Sequence, residues 1–142
     1  MNVTRLLPRL LLVFTCLWLS SVTASEAVLS IDTSYDGQYR GQPAFEKILA
    51  DLPYVYQEAL QKINRSLGIS IPDKTQIIVV FSDHLTHNGL RLRGKRRSVE
   101  GPRGILHYIY LDLEFLMTGQ ATLLEEMTHE LTHAIMSETM GL

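Results

Sequence analysis

The sequence predicts an α+β fold: a small mixed sheet, a long helix before it, and a second helix at the end of the chain. Three observations predict it. Apolar residues recur at spacings of three and four from Phe45 to Leu67. Two short runs, "TQIIVVF" at 75–81 and "ILHYIYL" at 105–111, are β-branched or aromatic and bounded by turn formers. The final stretch "LLEEMTHELTHAIM" returns to helical spacing. The order helix, strand, long loop, strand, helix places the last helix under a small sheet. The whole is 142 residues, a length for one domain.

Residues 1–24, "MNVTRLLPRLLLVFTCLWLSSVTA", read as a secretory signal peptide. Arg5 and Arg9 supply the positive n-region, 10–19 the apolar run, and Val22-Thr23-Ala24 a small-residue cleavage site. A membrane anchor is the rival reading, but the run is about half of the roughly 20 residues a span needs. The expected product is an exported chain of residues 25–142, periplasmic or secreted from a bacterium, with no stable membrane anchor after cleavage. The single cysteine, Cys16, lies in the signal, which leaves no disulfide and no thiolate ligand.

Within 25–142, "AVLSI" at 27–31 is a candidate short strand. The helix that follows crosses Pro53, which cannot donate to the carbonyl of Leu49, so a kink is expected there. Gly68 is its expected stop. The strand at 75–81 reads as buried. Residues 82–104 read as a long basic loop. The strand at 105–111 alternates Leu106, Tyr108 and Tyr110 with Ile105, His107 and Ile109, and is expected at a sheet edge. Thr118 or Thr122 caps the last helix; Thr122-x-x-Glu125 is a capping box. Gly141 closes it.

Charge is sorted along the chain. The 13 Lys and Arg fall to 11 without Arg5 and Arg9, against 15 acidic residues, so the exported part carries −4. Arg91, Arg93, Lys95, Arg96, Arg97 and Arg103 cluster, and every acid after them is unaccompanied by Lys or Arg. This stretch is either a solvated basic hairpin or a surface for an anionic partner. The net charge and the export signal argue against nucleic acid.

The chemistry sits in His129-Glu130-Leu131-Thr132-His133. Residues i and i+4 of a helix lie one above the other. Two imidazoles so placed can share one Zn²⁺ at about 2.0–2.1 Å each. Zinc brings the pKa of a water it holds toward about 7, so a neighbouring carboxylate, Glu130, can take the proton as general base. On a helical wheel Leu124, Met127, Leu131, Ala134 and Ile135 share one sector, with His129 and His133 opposite. One face is built for a core and the other for a cleft.

An exported chain with a helix, a β-branched strand, a hydrophobic strand and then "LLEEMTHELTHAIM" resembles the zincin superfamily, most closely the bacterial gluzincin-type, peptidase MA-like metallopeptidases. The resemblance implies the N-terminal subdomain of a zincin, with His129 and His133 as zinc ligands and Glu130 as the catalytic carboxylate. It also implies a zinc-dependent peptidase acting on peptide or protein. The strand before the zinc helix would be the rim that pairs with extended substrate, which makes Tyr108 and Tyr110 candidate substrate contacts.

One feature departs from that pattern. Gluzincins take the third ligand, a glutamate, from a later helix, and this sequence shows none after Leu142. The metzincin pattern fails too, with Met136 and Thr139 where its glycine and histidine would be. Candidates within the chain are His84, His87, His107, Asp112, Glu114 and Glu138, none supported by spacing. Glu138 lies 180° from His129 on a continuous helix. The alternative to a peptidase is a zincin-like binding module or remnant without a complete site. Substrate preference and oligomeric state have no signature in the sequence.

Overall fold

The computed structural model describes residues 28–32 and 37–141; the expected signal segment 1–24 lies outside the described residues. The described elements are β1 (Val28–Asp32), α1 (Pro43–Leu67), β2 (Gln76–Ser82), β3 (Thr86–His87), β4 (Leu90–Arg91), β5 (Gly94–Gly101), β6 (Gly104–Asp112), α2 (Leu113–Met117) and α3 (Leu123–Met140). The main sheet has the order β1-β2-β6-β5. β1, β2 and β6 run parallel and β5 runs antiparallel to β6. A small mixed sheet with helices on it is compatible with the α+β expectation.

α1 starts where Pro43 takes a position that needs no donor. It stops at Gly68, whose φ of 67° lets its N–H bond the Asn64 carbonyl at 2.8 Å. The helix is continuous through Pro53. Its buried stripe is Phe45, Leu52, Tyr56, Ala59 and Ile63. These meet Ile77, Val79 and Phe81 of β2, Ile109 and Leu111 of β6, and Met127, Leu131 and Ile135 of α3. Phe45 meets Phe81 edge-on, with centroids 5.8 Å apart at 86°. The core therefore lies between one face of the sheet and the helix pair α1 and α3.

Two expectations about the strands are corrected. The strand at 105–111 is not at an edge: β6 is hydrogen-bonded to β2 on one side and β5 on the other. His107, Ile109 and Leu111 form its buried face, and Leu106, Tyr108 and Tyr110 are half-buried on the other. The segment 82–104 is not a loop. It folds as the β3–β4 hairpin and then as β5, which is one edge strand of the described sheet, β1 being the other. Charged residues are well suited to an edge strand, because they oppose pairing with stray chains. The hairpin had a local signal in Asn88-Gly89, which adopt φ of 49° and 77° as a two-residue turn of that kind requires.

Asp112 fastens the end of β6. It is fully buried and accepts from the backbone N–H of Leu85 at 2.9 Å and from Arg91 Nη2 at 3.0 Å. It also caps α2 by accepting from Glu114 N–H at 3.0 Å. Arg91 reaches Glu114 at 2.6 Å and lies over the Phe115 ring at 4.9 Å. Hairpin, strand end and short helix are thus locked together just before α3. A buried carboxylate tolerates that position because it is paired and hydrogen-bonded throughout.

Candidate metal centre

α3 opens with the expected capping box. Thr122 Oγ1 accepts from Glu125 N–H at 3.2 Å, and the Glu125 carboxylate accepts from Thr122 N–H at 3.4 Å. Thr118 instead closes α2. Gly141, with φ 66°, closes α3. Met127, Leu131, Ala134 and Ile135 are buried, as the wheel expects.

The other face of α3 brings the sequence-predicted trio together. His129 and His133 are exposed, and their Nε2 atoms lie 3.2 Å apart. Two imidazole nitrogens bound to one tetrahedral ion at 2.0–2.1 Å would be about 3.3 Å apart. The spacing of the two nitrogens is close to what a shared tetrahedral ion would require. The rings meet at 79°, with centroids 4.6 Å apart.

Glu130 is 5% exposed, although its neighbours on this face are open. Burial pushes its carboxyl above the usual range, and Glu126 adds to that; His129 and Arg96 pull the other way. Burial also holds His133 below its ordinary value, with the charges of His129 and Arg96 acting in the same sense. A neutral imidazole is the form that binds metal.

The wall facing Glu130 is β5. A Cβ on Gly94 would stand 2.8 Å from Glu130 Oε1 and 3.3 Å from Glu126 Oε2. The glycine is what lets the strand pass over the carboxylate. A cleft of about 420 Å³ opens between them, with Arg91, Arg93 and Gly94 on one side and Glu126, His129 and Glu130 on the other. Sequence reasoning missed Gly94 and read Arg96 only as a member of the basic cluster, because strand pairing is what brings both beside α3. Gly94 left one signal: a glycine within a run of basic residues at the start of a strand.

The candidate third ligands lie elsewhere. His84 and His87 are exposed beside the β3–β4 hairpin. Asp112 and Glu114 belong to the Arg91 cluster. Glu138 is turned from the trio, as the wheel expects, and its Oε1 meets His107 Nε2 at 2.5 Å. His107 is fully buried, and its Nδ1 faces Ser98 Oγ at 2.8 Å. Among the described residues no group of three His, Cys, Asp or Glu is placed to hold a metal ion. Tyr108 and Tyr110 stack on each other, centroids 6.5 Å apart. Strand alternation puts them on the sheet face away from α3, opposite Arg97 and Lys95. Among the described residues no helix is long and apolar enough to cross a membrane.

No family model, curated protein or solved structure matches the chain.

Proposed function

We propose that this chain is a zinc-dependent peptidase of the zincin type, exported, with the helix α3 as its metal-binding helix. The observation that carries the reading is the His129–His133 Nε2 pair at 3.2 Å, with the buried Glu130 carboxylate beside it and an open cleft above. His129 and His133 would hold the ion. When bound, zinc supplies Lewis acidity that polarises a peptide carbonyl and acidifies water.

The protein's own groups do the rest. Glu130 accepts the proton of the attacking water and passes it to the leaving amine. Burial raises its proton affinity, which suits a base working near neutral pH. Substrate alignment falls to β5 rather than β6. One side of β5 is paired with β6 and the other has no strand partner among the described residues, and Gly94 brings that strand over Glu130. An extended peptide can add there as a further strand. Tyr108 and Tyr110, on the opposite face, have no part in this arrangement.

The test is zinc content per chain together with hydrolysis of an unstructured protein, for wild type and Glu130→Gln. Expected is a loss of about 10²–10⁴-fold in hydrolysis with zinc retained. Full activity in Glu130→Gln overturns the peptidase reading. Peptide binding at β5 without hydrolysis in either protein favours the binding module instead.

A further inference from the structure

Towards the C-terminal end of α3, the helix-facing side of β5 carries a second constellation that the metal chemistry does not use. Ser98 of β5 lies directly opposite His107 of β6. Ser98 Oγ is 2.8 Å from His107 Nδ1, and His107 Nε2 is 2.5 Å from Glu138 Oε1. The Thr75 hydroxyl donates to the same carboxylate, 3.0 Å from each oxygen. Arg96 Nη1 donates to Ser98 Oγ, and to Ser137 Oγ at 3.1 Å.

With His107 neutral and its proton on Nε2, the donors and acceptors form one directed chain. A guanidinium only donates, so Ser98 Oγ accepts from Arg96 and its own proton is free to point at His107 Nδ1. A neutral imidazole that accepts at Nδ1 carries its proton on Nε2, where it donates to the Glu138 carboxylate. Burial is graded along the chain. His107 is fully buried, the Glu138 side chain is 11% exposed, and Ser98 is exposed. A cleft of about 320 Å³ adjoins Ser98, with Arg96 beside it and Val99 and Ile105 as apolar wall. That volume is at the small end of small-molecule sites, which run from about 300 Å³ upward.

We propose that Ser98, His107 and Glu138 form a nucleophilic relay that small carboxylic esters with a short apolar acyl group acylate at Ser98. A nucleophile within reach of its base, and a base oriented by a third group, is the arrangement this chemistry needs. The Ser98 O–H proton moves to His107 Nδ1 as Oγ bonds the ester carbonyl carbon. The resulting oxyanion lies beside the Arg96 guanidinium. The bond to the leaving alcohol then breaks, and its oxygen takes the proton from His107 Nδ1. Water attacks the acyl-serine by the same route in reverse, releasing the carboxylic acid and restoring Ser98. Compared with the serine protease arrangement, the two ring nitrogens have exchanged partners. Neutral imidazole offers one acceptor and one donor either way round, so the relay is chemically equivalent.

The test treats the full chain with a fluorophosphonate probe and with p-nitrophenyl acetate, each with and without EDTA. Expected is one probe adduct per chain, mapped to Ser98 by peptide mass, and a one-equivalent burst of p-nitrophenolate, both unaffected by EDTA. Ser98→Ala is expected to abolish both; it also leaves His107 Nδ1 without its partner, so a native circular dichroism spectrum at the assay temperature shows that the variant is folded. His107→Gln, where it folds, slows labelling by about 10²–10⁴-fold. Absence of the adduct, an adduct on another residue, or labelling retained in Ser98→Ala overturns the proposal. The EDTA arm keeps this outcome separate from that of the metal-dependent reading.

Discussion

The two ends of α3 are built on opposite plans. Near Glu130 the polar groups are left open: two exposed imidazoles with facing nitrogens, a buried carboxylate beside them, and a cleft in front. Near Glu138 the polar groups are closed on one another, from Thr75 through Glu138 and His107 to Ser98 and Arg96. Both ends contain a glutamate and a histidine. What separates them is whether the histidine finds its partners inside the protein or must look outside it. His107 has both ring nitrogens engaged by protein groups, whereas the Nε2 atoms of His129 and His133 meet only each other at the surface and are open to a ligand from outside.

Substitutions at the two ends should therefore separate affinity from stability. The largest expected effect is on zinc: His129→Ala weakens binding by at least about 100-fold in calorimetric titration, with little change in melting temperature. An unchanged zinc affinity would break the contrast. At the closed end Glu138→Ala leaves buried His107 with one unmatched nitrogen, and costs about 1–3 kcal/mol in urea unfolding with zinc affinity intact. A loss of zinc there instead would mean the two ends are one site.

Smaller effects sharpen the picture around that helix. Thr122→Ala removes the capping box that sets the start of α3 and should cost about 1 kcal/mol, read by the same unfolding measurement. Tyr56→Phe should go the other way. Among the described residues Tyr56 Oη is buried without a hydrogen-bond partner, so its removal should stabilise by up to about 1 kcal/mol. Burial pushes the Tyr56 hydroxyl up to about 12 from its ordinary 10.0. The stability tied to its neutral form is complete below about pH 10 and is lost as pH rises toward 12. Tyr56→Phe should remove that alkaline loss in melting measured against pH.

How far the fold could be read depended on how local each signal was. Gly68, the Thr122–Glu125 box and Gly141 each act within a few residues, and all three caps stand where the pattern put them. The wheel of α3 likewise separated Met127, Leu131, Ala134 and Ile135 from His129 and His133. The Asn88-Gly89 turn was equally local and was overlooked behind the basic residues around it. The position of "ILHYIYL" was different in kind. Alternation says that a strand has two faces, and says nothing of how many neighbours it has. Tyr108 and Tyr110 were drawn into the substrate site by that gap, since an inner strand offers no free edge.

The sequence by itself determined the two long helices, the caps at Gly68, Thr122 and Gly141, the strand runs at 75–81 and 105–111, and the helical spacing of His129, Glu130 and His133. These follow from propensity, periodicity and spacing, which operate within one or two turns of chain. Only the tertiary structure decided that β5 is an edge strand of the described sheet, that Gly94 must be small because Glu130 lies beneath it, and that His107 joins Ser98 to Glu138. Those relations bring together the pairs Ser98–His107, His107–Glu138 and Gly94–Glu130, separated by 9, 31 and 36 positions. Strand register and helix docking set them, and no short-range rule encodes either.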